Sequence, residues 1–180
     1  MQTDEALASR VAHGDETALR ELLRRYERPL ANFLYRHTGG RDVEDLYQET
    51  WLRVVRHAGR FDATRRFSTW LFQIANNLCR DRWRRLDARR RAFDALRDET
   101  LATGRSAADP PALPADAALT RRLETLPERL REVLVLRYYQ DQSEAEISEI
   151  LGIPRGTVKS RLHAAVRAAR ELVQEGDEHD

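Results

Sequence analysis

A chain of 180 residues, 41% apolar and 34% charged, has room for one medium domain or two small ones and enough apolar side chains for their cores. No segment nears the roughly 18 consecutive apolar residues of a membrane span, and Met1 to Arg10 lacks a secretory pattern. The single cysteine, Cys79, excludes an internal disulfide framework and fits a reducing, cytoplasmic setting.

The net charge of +1 conceals a segregated distribution. Arg80 to Arg91 holds seven arginines against two aspartates, whereas Gln174 to Asp180 is acidic. Local patches, not the average, set affinity for phosphate. Residues 98–117, DETLATGRSAADPPALPADA, carry three prolines and no apolar period. They read as a flexible linker. The predicted organisation is all-α: a helical domain over 1–95, a linker over 96–118, a second helical domain over 119–175, and an acidic tail over 176–180.

In chain order, Ala18, Leu19, Leu22, Leu23, Tyr26 and Leu30 recur at helical spacing, continued by Phe33 and Leu34. Pro29 kinks this run at most, and Gly39-Gly40 ends it. A second helix starts with Asp42 as N-cap and buries Val43, Leu46, Tyr47, Thr50, Trp51, Val54 and Val55. Its other face carries Glu44, Asp45, Gln48, Glu49 and Leu52, which suits either solvent or a basic partner helix. Gly59 to Arg66 breaks the pattern. A third helix opens at Ser68, buries Trp70, Leu71, Ile74, Ala75 and Leu78, and runs into the arginines.

Beyond the linker, a helix starts near Pro127 with Leu130, Val133, Leu134 and Tyr138 inward. Another opens at Ser143, with Glu146 completing a capping box, and ends at Gly152. It buries Ile147, Ile150 and Leu151. After Ile153-Pro154 a last helix carries Val158, Leu162, Ala165 and Val166 inward.

Two constellations carry function. Ser143 to Leu162 has the grammar of a helix-turn-helix: a capped helix, a glycine turn and a second helix with a polar, basic face. Arg155, Thr157, Lys159, Ser160, Arg161 and His163 crowd its N-terminal half, and Arg167 follows. Arginine bonds guanine bidentately, and Thr and Ser suit phosphates or base edges. The second constellation runs from Arg65 to Arg85. Arg65, Arg66, Phe67, Ser68, Trp70, Asn76, Asn77, Arg80, Trp83 and Arg84 mix rings, amides and guanidinium groups. Such a surface stacks single-stranded bases while arginines track phosphates. Trp70 also lies on the apolar stripe and serves equally as a packed residue.

No phosphate-binding loop, zinc-ligand spacing or nucleophile elbow is present, and His13, His37, His57, His163 and His179 are scattered. The expectation is a non-enzyme without cofactor or metal. Cys79, beside Leu78 on the third helix, reads as a buried inert thiol.

Asp42 to Trp51, Phe67-Ser68-Thr69-Trp70-Leu71 with Ile74-Ala75-Asn76-Asn77, Leu126-Pro127-Glu128-Arg129 and Gly156 to Leu162 together resemble the sigma-70 family of the extracytoplasmic-function (ECF) type, reduced to regions two and four. The resemblance covers nearly the whole chain except linker and tail. It implies a transcription initiation factor that binds core RNA polymerase, through the β′ clamp helices and the β flap, and binds promoter DNA. Asp45, Gln48, Glu49 and Leu52 would hold polymerase. The Arg65 to Arg84 set would capture the opened −10 strand, and the helix after Pro154 would read the −35 element. An anti-sigma factor is implied as a partner, and no membrane insertion. The chain departs from the pattern at Ala164-Ala165-Val166, where arginines are common, at Ser148, where alanine is common, and at the bulky Tyr47. The alternatives are a helix-turn-helix regulator that never replaces the polymerase's own sigma subunit, and a protein-interaction scaffold.

Overall fold

The computed structural model describes residues 2–96 and 123–177, so the linker and the acidic tail fall largely outside the described residues. All regular structure among the described residues is helical. Helix α1 (Asp4–Val11) is capped by Thr3, whose hydroxyl accepts from the Ala6 N–H at 3.2 Å. The sequence reading has no helix here, because three inward residues (Leu7, Ala8 and Val11) are too few to reveal a period.

Helix α2 (Glu16–Thr38) starts at Asp15, whose carboxylate accepts from the N–H groups of Thr17 and Ala18. It continues through Pro29 and stops at Gly39, which has φ 65°. The Glu124 carboxylate occupies the space a Cβ would need there, so backbone and packing both require glycine. Helix α3 (Val43–His57) follows. Asp42 stands at its N-cap position with φ 54°, and its carbonyl accepts from the Leu46 N–H, but its side chain makes no capping bond; the carboxylate accepts from Arg82 at 2.9 Å instead. Asp42 is thus the N-cap residue expected, but its side chain, rather than capping α3, ties it to the next helix. A short 3-10 turn (Ala58–Arg60) leads to α4 (Phe67–Leu96). Leu22, Leu30, Phe33 and Leu34 of α2, Val54 of α3, and Phe67, Leu71 and Ala75 of α4 close this core.

The C-terminal half contains α5 (Glu128–Tyr138), α6 (Glu144–Leu151) and α7 (Arg155–Asp177). Val133, Leu136, Ile147, Ile150, Val158 and Ala165 are fully enclosed between them. Two expectations of burial fail. Tyr138 is 60% exposed and Val55 is 48% exposed. Helix α5 turns a different face inward because it is covered from two sides: Glu132, Val135 and Leu136 are buried, and α2 packs against it as well as α7. On α3 the apolar stripe is wider than the core it serves, which leaves Val55 outside.

The halves are packed together. Helix α4 lies along α6, and α2 lies against α5. The Gln140 amide donates to the Pro29 carbonyl at 3.2 Å, and the Arg36 guanidinium sits 3.9 Å from the Tyr139 ring centre.

Candidate nucleic-acid interface

The helix-turn-helix forms for local reasons visible in the sequence. The Ser143 hydroxyl accepts from the Glu146 N–H, and the Glu146 carboxylate accepts from the Ser143 N–H at 2.7 Å. These bonds satisfy donors that a helix start leaves open. Gly152 ends α6 at φ 65°. The Ser148 hydroxyl then donates to the Ile153 carbonyl at 2.6 Å, and so fixes the turn with a group that alanine lacks. Val158 is fully buried in the angle between α6 and α7.

Arg155, Lys159, Ser160, His163 and Arg167 are exposed on α7. Arg155, Lys159 and His163 stand four residues apart and so share one side of its first turns. Thr157 is half-buried in a hollow shared with Arg129, Leu130 and Ser160. Arg161 lines that hollow too, and also a cleft between the two halves with Arg80, Trp83 and Arg84 of α4 and Glu128 and Arg131 of α5.

The Arg65 to Arg84 set divides by burial. Phe67 has no exposed surface; its ring packs against Tyr26, Phe61 and Trp70 at 5.4, 5.8 and 6.0 Å between centroids. The Glu5 carboxylate accepts from its N–H. Asn76 is likewise enclosed, and Ser68 is buried. In this arrangement Phe67 and Asn76, both expected as strand contacts, are enclosed by packing. Trp70 is half-buried against Phe61, with centroids 5.0 Å apart. Asn77 and Arg84 are exposed. Trp83 lies between the guanidinium groups of Arg41 and Arg131, at 5.3 and 5.5 Å.

Three arginines of the set engage carboxylates of the other half. Arg65 pairs with Glu149. Arg66 donates to Glu146 at 2.6 Å, and Arg80 donates to both oxygens of Glu132 at 2.6 and 3.0 Å. The Glu132 side chain is only 2% exposed. Burial raises the Glu146 carboxyl, but bonds from Ser143 and Arg66 outweigh it and hold the group below its usual range. Burial lifts Cys79 to about 12, which keeps it a thiol.

The acidic face of α3 is available. Glu44, Asp45, Gln48 and Leu52 are exposed, and Glu49 is half-buried with an ion pair to Arg53 at 3.0 Å. Leu52, 56% exposed, joins Val55, Tyr47 and Trp51 in an apolar groove whose far wall is Leu19 and Leu23 of α2. Sequence reasoning placed both α2 leucines on the apolar period of their helix and did not single them out as part of this groove. Their signal was present: α2 and α3 each carry more apolar positions than one buried face can use.

The chain matches the family profile described as Sigma-70 region 2 over residues 22–91 and that described as Sigma-70, region 4 over residues 116–168. It is 34% identical to the ECF RNA polymerase sigma factor SigW of Bacillus subtilis, over 92% of this chain and 94% of that protein. The chain belongs to the ECF sigma factors. The ECF sigma-E factor of Escherichia coli is 32% identical, over 96% of this chain and 95% of the relative. Among solved structures, CnrH in complex with the cytosolic domain of CnrY superposes with a TM-score of 0.73 at 25% identity, covering 97% of this chain and 99% of that one. The sigma factor RpoE of Bartonella quintana, in complex with the anti-sigma factor NepR, shares the fold with a TM-score of 0.68 at 22% identity, over 87% and 96% of the chains. The family is one of transcription initiation factors, not of enzymes.

Proposed function

We propose that this sigma factor works through three surfaces, each on a different element. The groove and acidic rim of α3, with Asp45, Gln48, Glu49 and Leu52, dock on the β′ clamp helices of core RNA polymerase. Helix α7 enters the major groove of the −35 element with Arg155, Lys159, Ser160 and His163, and Arg167 meets backbone phosphate. The exposed Arg65, Arg66, Asn77 and Arg84 of the α4 segment, with the half-buried Trp70, Trp83 and Arg80, capture the unpaired −10 strand. Binding energy opens the duplex, and polymerase performs the nucleotidyl transfer.

The observation that carries this reading is the outward, cationic first half of α7 behind a capped helix and a left-handed glycine. The division into an N-terminal unit to about residue 95 and a C-terminal unit from about residue 119 accords with the two family profiles. The working compartment is the bacterial cytoplasm, where polymerase is. An anti-sigma factor is the regulatory partner, a reading supported by the complex of Bartonella quintana RpoE with the anti-sigma factor NepR.

Transcription in vitro with bare core polymerase tests the proposal. Addition of the chain should produce defined starts preceded by shared −35 and −10 elements. Site-specific DNA binding by the chain with no initiation on any genomic promoter fragment would instead make it an ordinary helix-turn-helix regulator.

A further inference from the structure

Helix α4 has no side-chain cap next to it in sequence. Arg66 stands just before its first residue, and the Arg66 carbonyl accepts from the Trp70 N–H at 3.3 Å. A guanidinium has only donors, so Arg66 cannot take up the N–H groups that a helix start leaves open. The acceptor comes from 62 residues away: the Glu5 carboxylate of α1 accepts from the Phe67 N–H at 3.1 Å. The residue before it, Asp4, accepts from Arg25 and from the Tyr26 hydroxyl of α2, each at 2.6 Å. Leu7, Ala8 and Val11 bury the rest of α1 against the same core. Two adjacent carboxylates thus tie the start of α4 and the middle of α2 to one short helix, which lies ahead of the segment matched to region 2.

The approach to α4 is ordered from its other side as well. The Phe61 ring packs on Phe67 and Trp70, at 5.8 and 5.0 Å between centroids. The Asp62 carboxylate accepts from the N–H and the hydroxyl of Thr64 at 2.9 and 2.8 Å, and the Asp62 carbonyl accepts from the Arg65 N–H at 3.0 Å. Arg65 and Arg66 therefore leave the chain between two restraints, the turn at Asp62 and the cap at Phe67. We infer that Glu5 is a positioning residue for strand capture: by capping α4 from α1, it fixes the direction in which Arg65 and Arg66 meet the opened −10 strand. This inference rests on the strand-capture reading of the α4 segment. Without the carboxylate, the Phe67 N–H loses its acceptor and the first turn of α4 frays. Both guanidinium groups then range over more positions, and ordering them on the strand costs more. The same carboxylate also faces Arg66: Glu146 most strongly, and Glu5 more weakly, push that guanidinium further above its ordinary pKa.

The test uses the full chain with core polymerase, on a promoter fragment identified by the transcription assay above. Permanganate reactivity of the −10 thymines reads opening, and anisotropy reads binding of the chain to the −35 duplex. Glu5 is half-buried, so its variants should fold, and circular dichroism sets a temperature at which each is fully folded. E5A should lower opening about five-fold, the loss of one helix cap, with −35 binding unchanged. E5Q, whose amide oxygen still accepts a hydrogen bond, should restore most of the opening. Amide hydrogen exchange over residues 61–70 should quicken in E5A and return toward the parent in E5Q. Unchanged opening in E5A would overturn the positioning role. So would an equal fall in −35 binding, which marks general loosening, or an E5Q as impaired as E5A, which marks charge and not the cap. The companion variant R65A with R66A separates the two ideas. If it leaves opening intact, strand capture by this segment is wrong. If it lowers opening while E5A does not, capture stands and positioning by Glu5 falls.

Discussion

Lowering the pH should destabilise this protein well before its carboxylates are protonated, and His37 is the reason. The imidazole lies against Phe33, with Asn76, Glu132, Arg131 and Arg80 around it, and has no exposed surface. Burial disfavours the charged ring more than Glu132 favours it, and Arg131 and Arg80 add to the opposition, so its pKa falls from 6.5 to about 4. The unfolded chain therefore binds a proton that the folded chain refuses at any pH between those values. Stability must rise with pH across that window: it is complete above 6.5 and drains away as pH falls toward 4. At 1.36 kcal/mol per unit, the loss between pH 7.5 and pH 5 is about 2 kcal/mol, and about 3.4 kcal/mol in the limit below pH 4. Urea denaturation followed by circular dichroism reads this directly, as a midpoint lower by about 1 M at pH 5. His37→Leu keeps the volume near enough that its midpoint at pH 7.5 should lie within about 1.5 kcal/mol of the parent. Its midpoint should then hardly move between pH 7.5 and 5. If variant and parent lose stability in parallel, the buried imidazole is not the source.

Other outcomes follow from single contacts. Ser143→Ala removes the N-cap and half of the capping box and should lower stability by about 1 kcal/mol in thermal denaturation. Gly152→Ala forces a Cβ into the left-handed region and should cost about 1 kcal/mol or more, although nothing crowds the site. Leu52→Glu should weaken association with core polymerase in a pull-down while leaving the denaturation midpoint unchanged, because the side chain is mostly exposed. Arg155→Ala should weaken binding to a −35 duplex by about 1–3 kcal/mol if it reads a base, measured by anisotropy.

Much of the architecture was legible because it is local. The capping box, Gly39, Gly152 and the apolar periods of α2, α3 and α6 each announce themselves within one or two turns. What stayed hidden is long-range. Asp42 looks like an N-cap from its neighbours, yet Arg82, forty residues on, takes its carboxylate. Glu132 reads as a surface residue on a helix, and only the packing of α2 onto α5, with Arg80 reaching across from α4, makes it a buried partner. For the same reason the α4 segment could be recognised as basic and aromatic without revealing that Phe67 and Asn76 lie inside. The polar residues of a strand-binding face and those of an interface between halves are the same residue types.

That coincidence bears on the order of events at a promoter. In the closed chain the α3 groove, with Leu52 and Val55, is already exposed, and so are Arg155, Lys159 and His163 of α7. On the assignments proposed above, polymerase docking and duplex recognition require no rearrangement of the described residues. Strand capture does, because Arg66 and Arg80 must first leave Glu146 and Glu132. The Arg80–Glu132 pair is a weak source of stability once its desolvation is counted, so it favours one closed geometry without making that geometry deep. On the proposed role of the α4 segment, a −10 strand that offers phosphates to both arginines replaces the carboxylate contacts of Glu132 and Glu146.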